Sequence, residues 1–406
     1  MLIEEIRKDE YMPLSGKRIA LGITGSVAAY RSVDLARKLI RMGAEVRPIL
    51  TRFATRLIGP DLLWWATGNR PLVEMTGETE HIDVAKWADA LVIAPATLNT
   101  MSKIAYGILD ELLSLTATTM MGDGKKIIIA PAMNLRLYTS PQYERARKLL
   151  EEYNAVIISP FIEENKVKFP PLEDLVHCID TVLNRGQDLK GRRIIVTAGA
   201  TREYLDPVRV LTNPSSGLMG ILIAREAACR GAQVDLVSGV TRFNPPYMVR
   251  NLNVETTSDM AEAVERLTSE NEYDAGVFAA APADYKPRVY YEEKLSTRSS
   301  RSTVIELEAT RKVLKAVVKR PNILIGFAAE SSKAPEALVE KSRVKLHDYD
   351  LDLIVANNIL SERAGFSKPF LEVCYVWKGG FKCLGESFKE AVARTVVDYV
   401  AGRFNP

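Results

Sequence analysis

KRIALGITGSVAAYRSVDLARKLIRMGAEVRPIL, residues 17–50, is the stretch that decides the fold. It opens with a short apolar run, turns at Thr24-Gly25-Ser26, and continues with apolar positions at helical spacing until Gly43 stops them. Strand character resumes at Glu45–Leu50, so the segment reads as strand, turn, helix and strand, the beginning of a doubly wound sheet. The same grammar returns further on. RRIIVTAGA (192–200) is a strand and turn, a long loop follows, GLMGILIAREAACRG (217–231) is a helix, and AQVDLVSG (232–239) is the next strand. Both units close on Gly-Ala-x-Val, at Gly43-Ala44-Glu45-Val46 and Gly231-Ala232-Gln233-Val234. The expected class is therefore α/β with two Rossmann-like domains. Their boundary is expected in the polar, Gly-containing stretch 184–191, giving domains 1–188 and 189–406.

The 406-residue length suits two cores. With 47% apolar and 26% charged residues the composition is globular and excludes extensive disorder. No apolar run is long enough to span a bilayer, and MLIEEIRKDEYMPLSGK lacks the apolar core of a secretory signal, so a cytoplasmic protein without membrane partners is expected. The net charge of +3 does not call for nucleic acid. Cys178, Cys229, Cys374 and Cys383 lie far apart without a CxxC, and His81, His177 and His347 are scattered; neither a zinc cage nor a disulfide framework is expected. Residues 1–16 read as a short charged helix without a core role, LEVCYVWKGGFKCL (371–384) as a hairpin turning at Gly379-Gly380, and 386–401 as a closing helix.

In open α/β sheets ligands bind at the carboxyl ends of strands. ADALVIAPA (88–96) and KKIIIAPAMN (125–134) are buried-strand patterns with an Ala-Pro-Ala at the strand end, so these ends and Thr24-Gly25-Ser26 should converge on one crevice. Gly25 and Ser26 suit a phosphate, because the free N–H groups and dipole of a helix N-terminus favour an anion; a plain tight turn explains them equally. His81 opens a short helix, where capping or packing is the commoner role. Asn134, in the loop after a strand, is either turn chemistry or a carboxamide aimed at a ligand.

Taken together, GITGSVAAY, the HIxxxxWAD segment ending at Asp89, APATLNTMSKIAYGILDELLS and PAMNLRLY resemble the flavin-containing cysteine decarboxylases, in particular the phosphopantothenoylcysteine decarboxylase half of the bifunctional coenzyme A biosynthesis proteins. The resemblance spans roughly residues 15–180. It implies a flavodoxin-like domain with FMN held by Gly25, Ser26 and Thr51 and lined by Ala94, Thr97 and Asn99, with His81 catalytic beside the flavin and Asn134 on the substrate carboxylate. It also implies that the flavin first oxidises the substrate thiol to a thioaldehyde, the electron sink without which loss of CO2 would leave an unstabilised carbanion, and later reduces the enethiol product. One departure concerns PFIEENKVKFPPLEDL (160–175), which matches a substrate clamp whose cysteine protonates that enethiol but has no cysteine itself. Cys178 just downstream reads as core, and Leu137 stands at the motif's usual Met.

The second half carries TAGATREYLDPVRVLTNPSSGLMG, AAAPADYKP, EEK, IGFAAES and DLDLIVANN. A loop and an N-cap account for Ser216 and Gly217, but not for the length and ordered polarity of a loop bearing Arg202, Asp206 and Arg209. These motifs, over about residues 189–400, resemble phosphopantothenate–cysteine ligase, the other half of the same bifunctional family. The resemblance implies that Asn213 acts on an acyl-nucleotide intermediate and Lys294 at the activated carboxylate. It places Ser216, Gly217, Ala280, Asp284, Phe327 and Lys345 around the nucleotide, CTP with Mg2+ in prokaryotes and ATP in eukaryotes. Three basic family positions are altered: Leu218, Leu295-Ser296-Thr297 and Tyr349; Lys286, Arg288, Arg298 and Arg301 are either substitutes or a solvated surface.

The implied chemistry is ligation of 4′-phosphopantothenate to cysteine followed by decarboxylation to 4′-phosphopantetheine, in a homo-oligomer of decarboxylase trimers joined by ligase dimers, up to a dodecamer. Two rival readings are an NAD(P)-dependent oxidoreductase, weakened by the incomplete GxGxxG, and a flavin-binding regulatory subunit, opposed by the presence of both His81 and Asn134.

Overall fold

A computed structural model describes residues 9–296, 302–331, 335–359, 368 and 370–404. The chain separates into two compact units, Met1–Gly186 and Gln187–Pro406.

In the first unit, β1 (Arg18–Ile23) is buried from Ile19 onward and pairs in parallel with β2 (Glu45–Leu50) on one side and β3 (Ala90–Ala96) on the other. A strand covered on both faces has no need to alternate, which is why it is written as a continuous apolar run. With β4 (Lys126–Pro131) and β5 (Val156–Ile157) the order is β2-β1-β3-β4-β5, all parallel, the flavodoxin-like arrangement with its switch point between β1 and β3. Helix α1 (Arg31–Arg41) buries Leu35, Ala36, Leu39 and Ile40, one stripe at helical spacing. Gly43 follows it at φ +98°, where a Cβ would stand 2.9 Å from the Ser15 backbone, so only glycine fits.

That close approach corrects the expectation for the opening segment. Residues 9–16 are turns, not helix, and they close the end of α1: the N–H groups of Asp9 and Leu14 donate to the carbonyls of Arg41 (3.0 Å) and Met42 (3.1 Å). Leu14 is fully buried, so the segment belongs to the core; residues 1–8 lie outside the described residues. A charge pattern read locally as helix is overridden here by orphan carbonyls at the end of α1 that need donors.

The second unit holds an eight-stranded sheet built from β6 (Arg193–Ala198), β7 (Gln233–Ser238), β8 (Arg250–Asn253), β9 (Ala275–Phe278), β10 (Ile323–Glu330), β11 (Leu353–Asn358), β12 (Phe370–Trp377) and β13 (Gly380–Phe388). Its order is β8-β7-β6-β9-β10-β11-β12-β13; the first six are parallel in the Rossmann order, and the last two are antiparallel. Helices α4 (Leu218–Cys229) and α6 (Lys389–Val400) pack on one face around Val196, Val355 and Val396, while α5 (Pro335–Asp348) packs on the other around Leu338, Ile354 and Val376. Arg230, fully buried, joins Asp188 at the start of this unit to Asp398 in α6 through bonds of 2.7 and 2.6 Å.

The β12–β13 hairpin corrects the cysteine reading. Trp377 pairs with Gly380, so Lys378 and Gly379 make the turn, and residues equidistant from it face each other. Cys374 and Cys383 are one such pair, with Cα atoms 3.9 Å apart, and they form a disulfide. Nine residues of separation conveyed nothing until the turn position was known. Cys178 is buried in the helix Leu172–Asn184, as its apolar surroundings indicated, but it is disulfide-bonded and not a free core thiol.

Candidate active sites

In the first unit the site lies at the carboxyl ends of β1–β4. Ser26 caps the turn after β1, its hydroxyl accepting from the Ala28 N–H at 3.3 Å. A Cβ on Gly25 would fall 2.5 Å from the Phe53 ring, so the turn needs glycine to pass under that side chain. Thr51, buried after β2, receives the Ala54 N–H, and its own N–H donates to Ile23 in β1. Ala94 is buried in β3, Thr97 caps α3 (Leu98–Ala105), and Asn99 stands exposed in its first turn.

Thr24 was not singled out from sequence, yet it closes the switch point. Its buried hydroxyl donates to the Pro95 carbonyl (2.8 Å) and accepts from the Thr97 N–H (3.0 Å), tying the end of β1 to the end of β3. The only local signal was its place in the Thr-Gly-Ser turn. Ser32 in α1 makes a second tie, donating to the Ala94 carbonyl at 2.7 Å.

His81 is half-buried in the first turn of α2 (Glu80–Trp87), the helix that leads back into β3. A helix that returns antiparallel to its strand starts at the carboxyl edge of the sheet, which puts His81 on the edge shared with the β1 and β3 turns. Next to it the Thr76 hydroxyl, followed by the backbone N–H groups of Glu80 and Thr76, holds the Glu80 carboxyl below the usual carboxylate range. Asp89 faces the other way: its carboxylate accepts the Arg18 N–H at 2.8 Å and closes the amino end of β1. Asn134 is exposed; its Oδ1 accepts the Arg136 N–H at 2.9 Å, so that oxygen is spent on a local cap. Within residues 160–175, which lack a cysteine, Phe161–Glu163 and Lys166–Lys168 form a hairpin, and Lys166–Lys168 pairs with Met133–Asn134, setting Lys166 opposite Asn134.

In the second unit a cavity of about 340 Å³ opens at the carboxyl edge of the sheet. Ser216, Gly217, Ala280, Asp284, Phe327, Lys345 and Asn213 all line it. Gly217, at φ +75°, precedes α4, and a Cβ there would meet Thr241 at 2.5 Å. Both Nδ2 hydrogens of Asn213 are used on backbone carbonyls, Ala281 at 3.1 Å and Pro282 at 3.0 Å, so this side chain holds the loop after β9. That loop is pinned again where the Ala280 N–H donates to Thr197 and the Ala281 N–H to Gly199.

Lys294 is exposed and stands outside the cavity lining. Its neighbour is tethered: the Leu295 N–H donates to Asp206 (3.1 Å) and the Leu295 carbonyl accepts from Arg209 (2.9 Å). The polar residues of the long loop thus tie it to the segment that carries Lys294. Lys286 and Arg288 pair with Glu308 (3.2 Å) and Glu306 (3.4 Å) on an exposed hairpin, and Arg298 and Arg301 lie outside the described residues. Lys312 lines the cavity together with Lys345 and Lys389 and is bonded to Asp284 at 2.6 Å; no sequence pattern marked it. Among the described residues no cluster of three or more His, Cys, Asp or Glu is gathered for a metal, and no helix is long and apolar enough to cross a membrane.

Asp206 is fully buried. Burial by itself raises its pKa, but the N–H groups of Val208, Arg209 and Leu295 and the Arg209 guanidinium outweigh that and hold it at about 2. A lowered carboxyl stabilises the fold above its unfolded value of about 3.9, and that stabilisation is lost as pH falls towards the folded value. Asp206→Asn should therefore melt below the parent at neutral pH, with the gap closing between about pH 4 and pH 2. A gap that stays constant in thermal melts across that window would show that the charge does not hold the loop.

A flavodoxin-like unit and a Rossmann-ordered unit define a two-domain α/β protein. Residues 7–184 match the Flavoprotein family, and residues 189–403 match the family described as DNA/pantothenate metabolism flavoprotein C-terminal domain. The coenzyme A biosynthesis bifunctional protein CoaBC of Thermococcus kodakarensis is 38% identical over 394 residues, 95% of each chain, and that of Bacillus subtilis is 33% identical over 388 residues, covering 91% of this chain and 92% of its own. A solved C-terminal domain of such a protein is 37% identical with a TM-score of 0.44, covering 53% of this chain and 97% of its own. The FMN-dependent cysteine decarboxylase SpaF is 28% identical with a TM-score of 0.39, covering 43% of this chain and 98% of its own. The chain belongs to the family of bifunctional coenzyme A biosynthesis proteins and is an enzyme with two activities, phosphopantothenate–cysteine ligase and phosphopantothenoylcysteine decarboxylase.

Proposed function

We propose that residues 1–188 decarboxylate phosphopantothenoylcysteine with FMN and that residues 189–406 make that substrate from 4′-phosphopantothenate and cysteine at the expense of CTP with Mg2+. The observation that carries this reading is that the second unit's motif residues, from Asn213 in the long loop to Lys345 in α5, line one cavity.

The donor set at the first switch point fits FMN: a glycine that lets the turn pass beneath Phe53, the hydroxyls of Ser26, Thr51 and Thr97, and a β1–β3 junction locked by Thr24. FMN, when bound, supplies reversible two-electron oxidation of the substrate thiol. His81 works beside it. Asn134, with Oδ1 committed to Arg136, presents Nδ2 to the substrate carboxylate.

In the ligase half a carboxylate oxygen attacks the nucleotide α-phosphorus and pyrophosphate leaves. The cysteine amine then attacks the acyl carbon, a proton leaves the nitrogen, and the nucleoside monophosphate departs. Lys294 offsets charge at the activated carboxylate, and Asn213 holds the Ala281-Pro282 loop against which the intermediate sits. Mg2+ travels with the triphosphate. Incubating the full chain with phosphopantothenate, cysteine and CTP or ATP should release pyrophosphate and then CO2, and the protein should carry flavin absorbance. Pyrophosphate without CO2 from a flavin-loaded protein would remove the decarboxylase half of the reading.

A further inference from the structure

Asn357, near the carboxyl end of β11, is 7% exposed, and its Oδ1 is buried without a hydrogen-bond partner among the described residues. An unpaired buried carboxamide oxygen has lost its water without gaining a donor, so a fold that keeps one beside a cavity calls for a partner from outside the chain. Asn357 lines the same cavity as Phe327 of β10 and Lys389, the first residue of α6. Lys389 is 3% exposed, and burial pushes its ammonium below the usual lysine value. Ser216 and Gly217 stand before the N-terminus of α4, where the phosphates of a nucleotide are favoured. The base is then left to the part of the cavity formed by β10, β11 and the start of α6.

We propose that Asn357 and Lys389 read the edge of the nucleotide base and select a ring-nitrogen acceptor beside an exocyclic amino donor, as in cytosine and adenine, over the reversed order of uracil and guanine. This rests on reading the cavity as the ligase nucleotide site. An ammonium has donors only, so in its charged form Lys389 meets the lone pair of cytosine N3 or adenine N1, which favours that form against burial, but opposes the N–H that uracil and guanine carry there. The Asn357 oxygen then takes a hydrogen of the amino group. Turned the other way, its Nδ2 would face that amino group donor to donor. The fixed polarity of the lysine therefore sets the polarity of the pair, and a keto base leaves buried polar groups unpaired, the situation in which protein sites discriminate most strongly.

The test is steady-state pyrophosphate release by the full chain with phosphopantothenate, cysteine and, in turn, CTP, ATP, UTP and GTP. In the parent, kcat/KM for CTP or ATP should exceed that for both keto nucleotides by about 100-fold or more, and a cytidine triphosphate analogue lacking the amino group should lose about 10-fold or more. Asn357→Ala should narrow the amino-over-keto ratio to below about 10-fold, mainly through KM. Asn357→Asp, which keeps an acceptor, should retain the preference. CO2 release from ready-made phosphopantothenoylcysteine reports whether each variant is folded, and the analogue comparison needs no variant. The proposal is overturned if UTP or GTP serves the parent within about 10-fold of the best nucleotide, if the analogue is used as well as CTP, or if Asn357→Ala keeps full selectivity. Absence of pyrophosphate with every nucleotide would instead reject the ligase reading on which the proposal rests.

Discussion

Asn213→Asp should lower pyrophosphate release by about 100-fold or more while decarboxylation of supplied phosphopantothenoylcysteine continues. The parent side chain donates both Nδ2 hydrogens, to the Ala281 and Pro282 carbonyls at 3.1 and 3.0 Å. Aspartate keeps the size but turns two attractions into oxygen-against-oxygen contacts and leaves two carbonyls without donors. Each lost donor costs about 1–3 kcal/mol in a partly buried setting, so the loop after β9 should shift and the rate should fall about 100-fold or more. The new charge also repels the phosphate of any acyl nucleotide that forms. Quantifying pyrophosphate from the variant, with CO2 release as the internal control for folding, decides the matter: a rate within a few-fold of the parent would remove Asn213 from the site. Mass spectrometry of the trapped phosphopantothenoyl nucleotide distinguishes failed activation from failed consumption.

The complementary result is expected in the other unit. His81→Asn and Asn134→Asp should each lower CO2 release by about 100- to 10,000-fold, the range over which a positioned acid–base group or a charge-holding donor acts, and leave pyrophosphate release intact. Asn134→Asp is informative because its effect can be assigned to one atom. Aspartate accepts the Arg136 N–H as well as asparagine does, so the cap on Leu135–Tyr138 survives and only the Nδ2 donor is lost. In its place a carboxylate faces the substrate's own. If both activities fell together in either variant, the residue would be holding the fold and not the chemistry.

The sequence by itself determined the architecture. Apolar runs without alternation identify strands covered on both faces, stripes at helical spacing identify the covering helices, and the repeated strand–turn–helix–strand opening announces two sheets. These signals are local: each is written within about 30 residues and survives whatever the rest of the chain does. Motif order likewise named Asn213, Ser216, Gly217, Ala280, Asp284, Phe327 and Lys345 before the cavity they line was known.

Only the tertiary structure decided which side chains meet across long separations. Lys312 reaches Asp284, Asp206 holds Leu295 across 89 positions, Thr24 bridges to Pro95 and Thr97, Cys374 meets Cys383, and Leu14 closes the end of α1. A lone lysine, threonine or cysteine has no period and no preferred neighbour, so nothing in its own stretch announces the partner. Its role is set by strand register and loop closure, which pair residues only after the sheet has assembled, and by burial, which makes an unpaired polar atom such as Asn357 Oδ1 costly enough to mark a site.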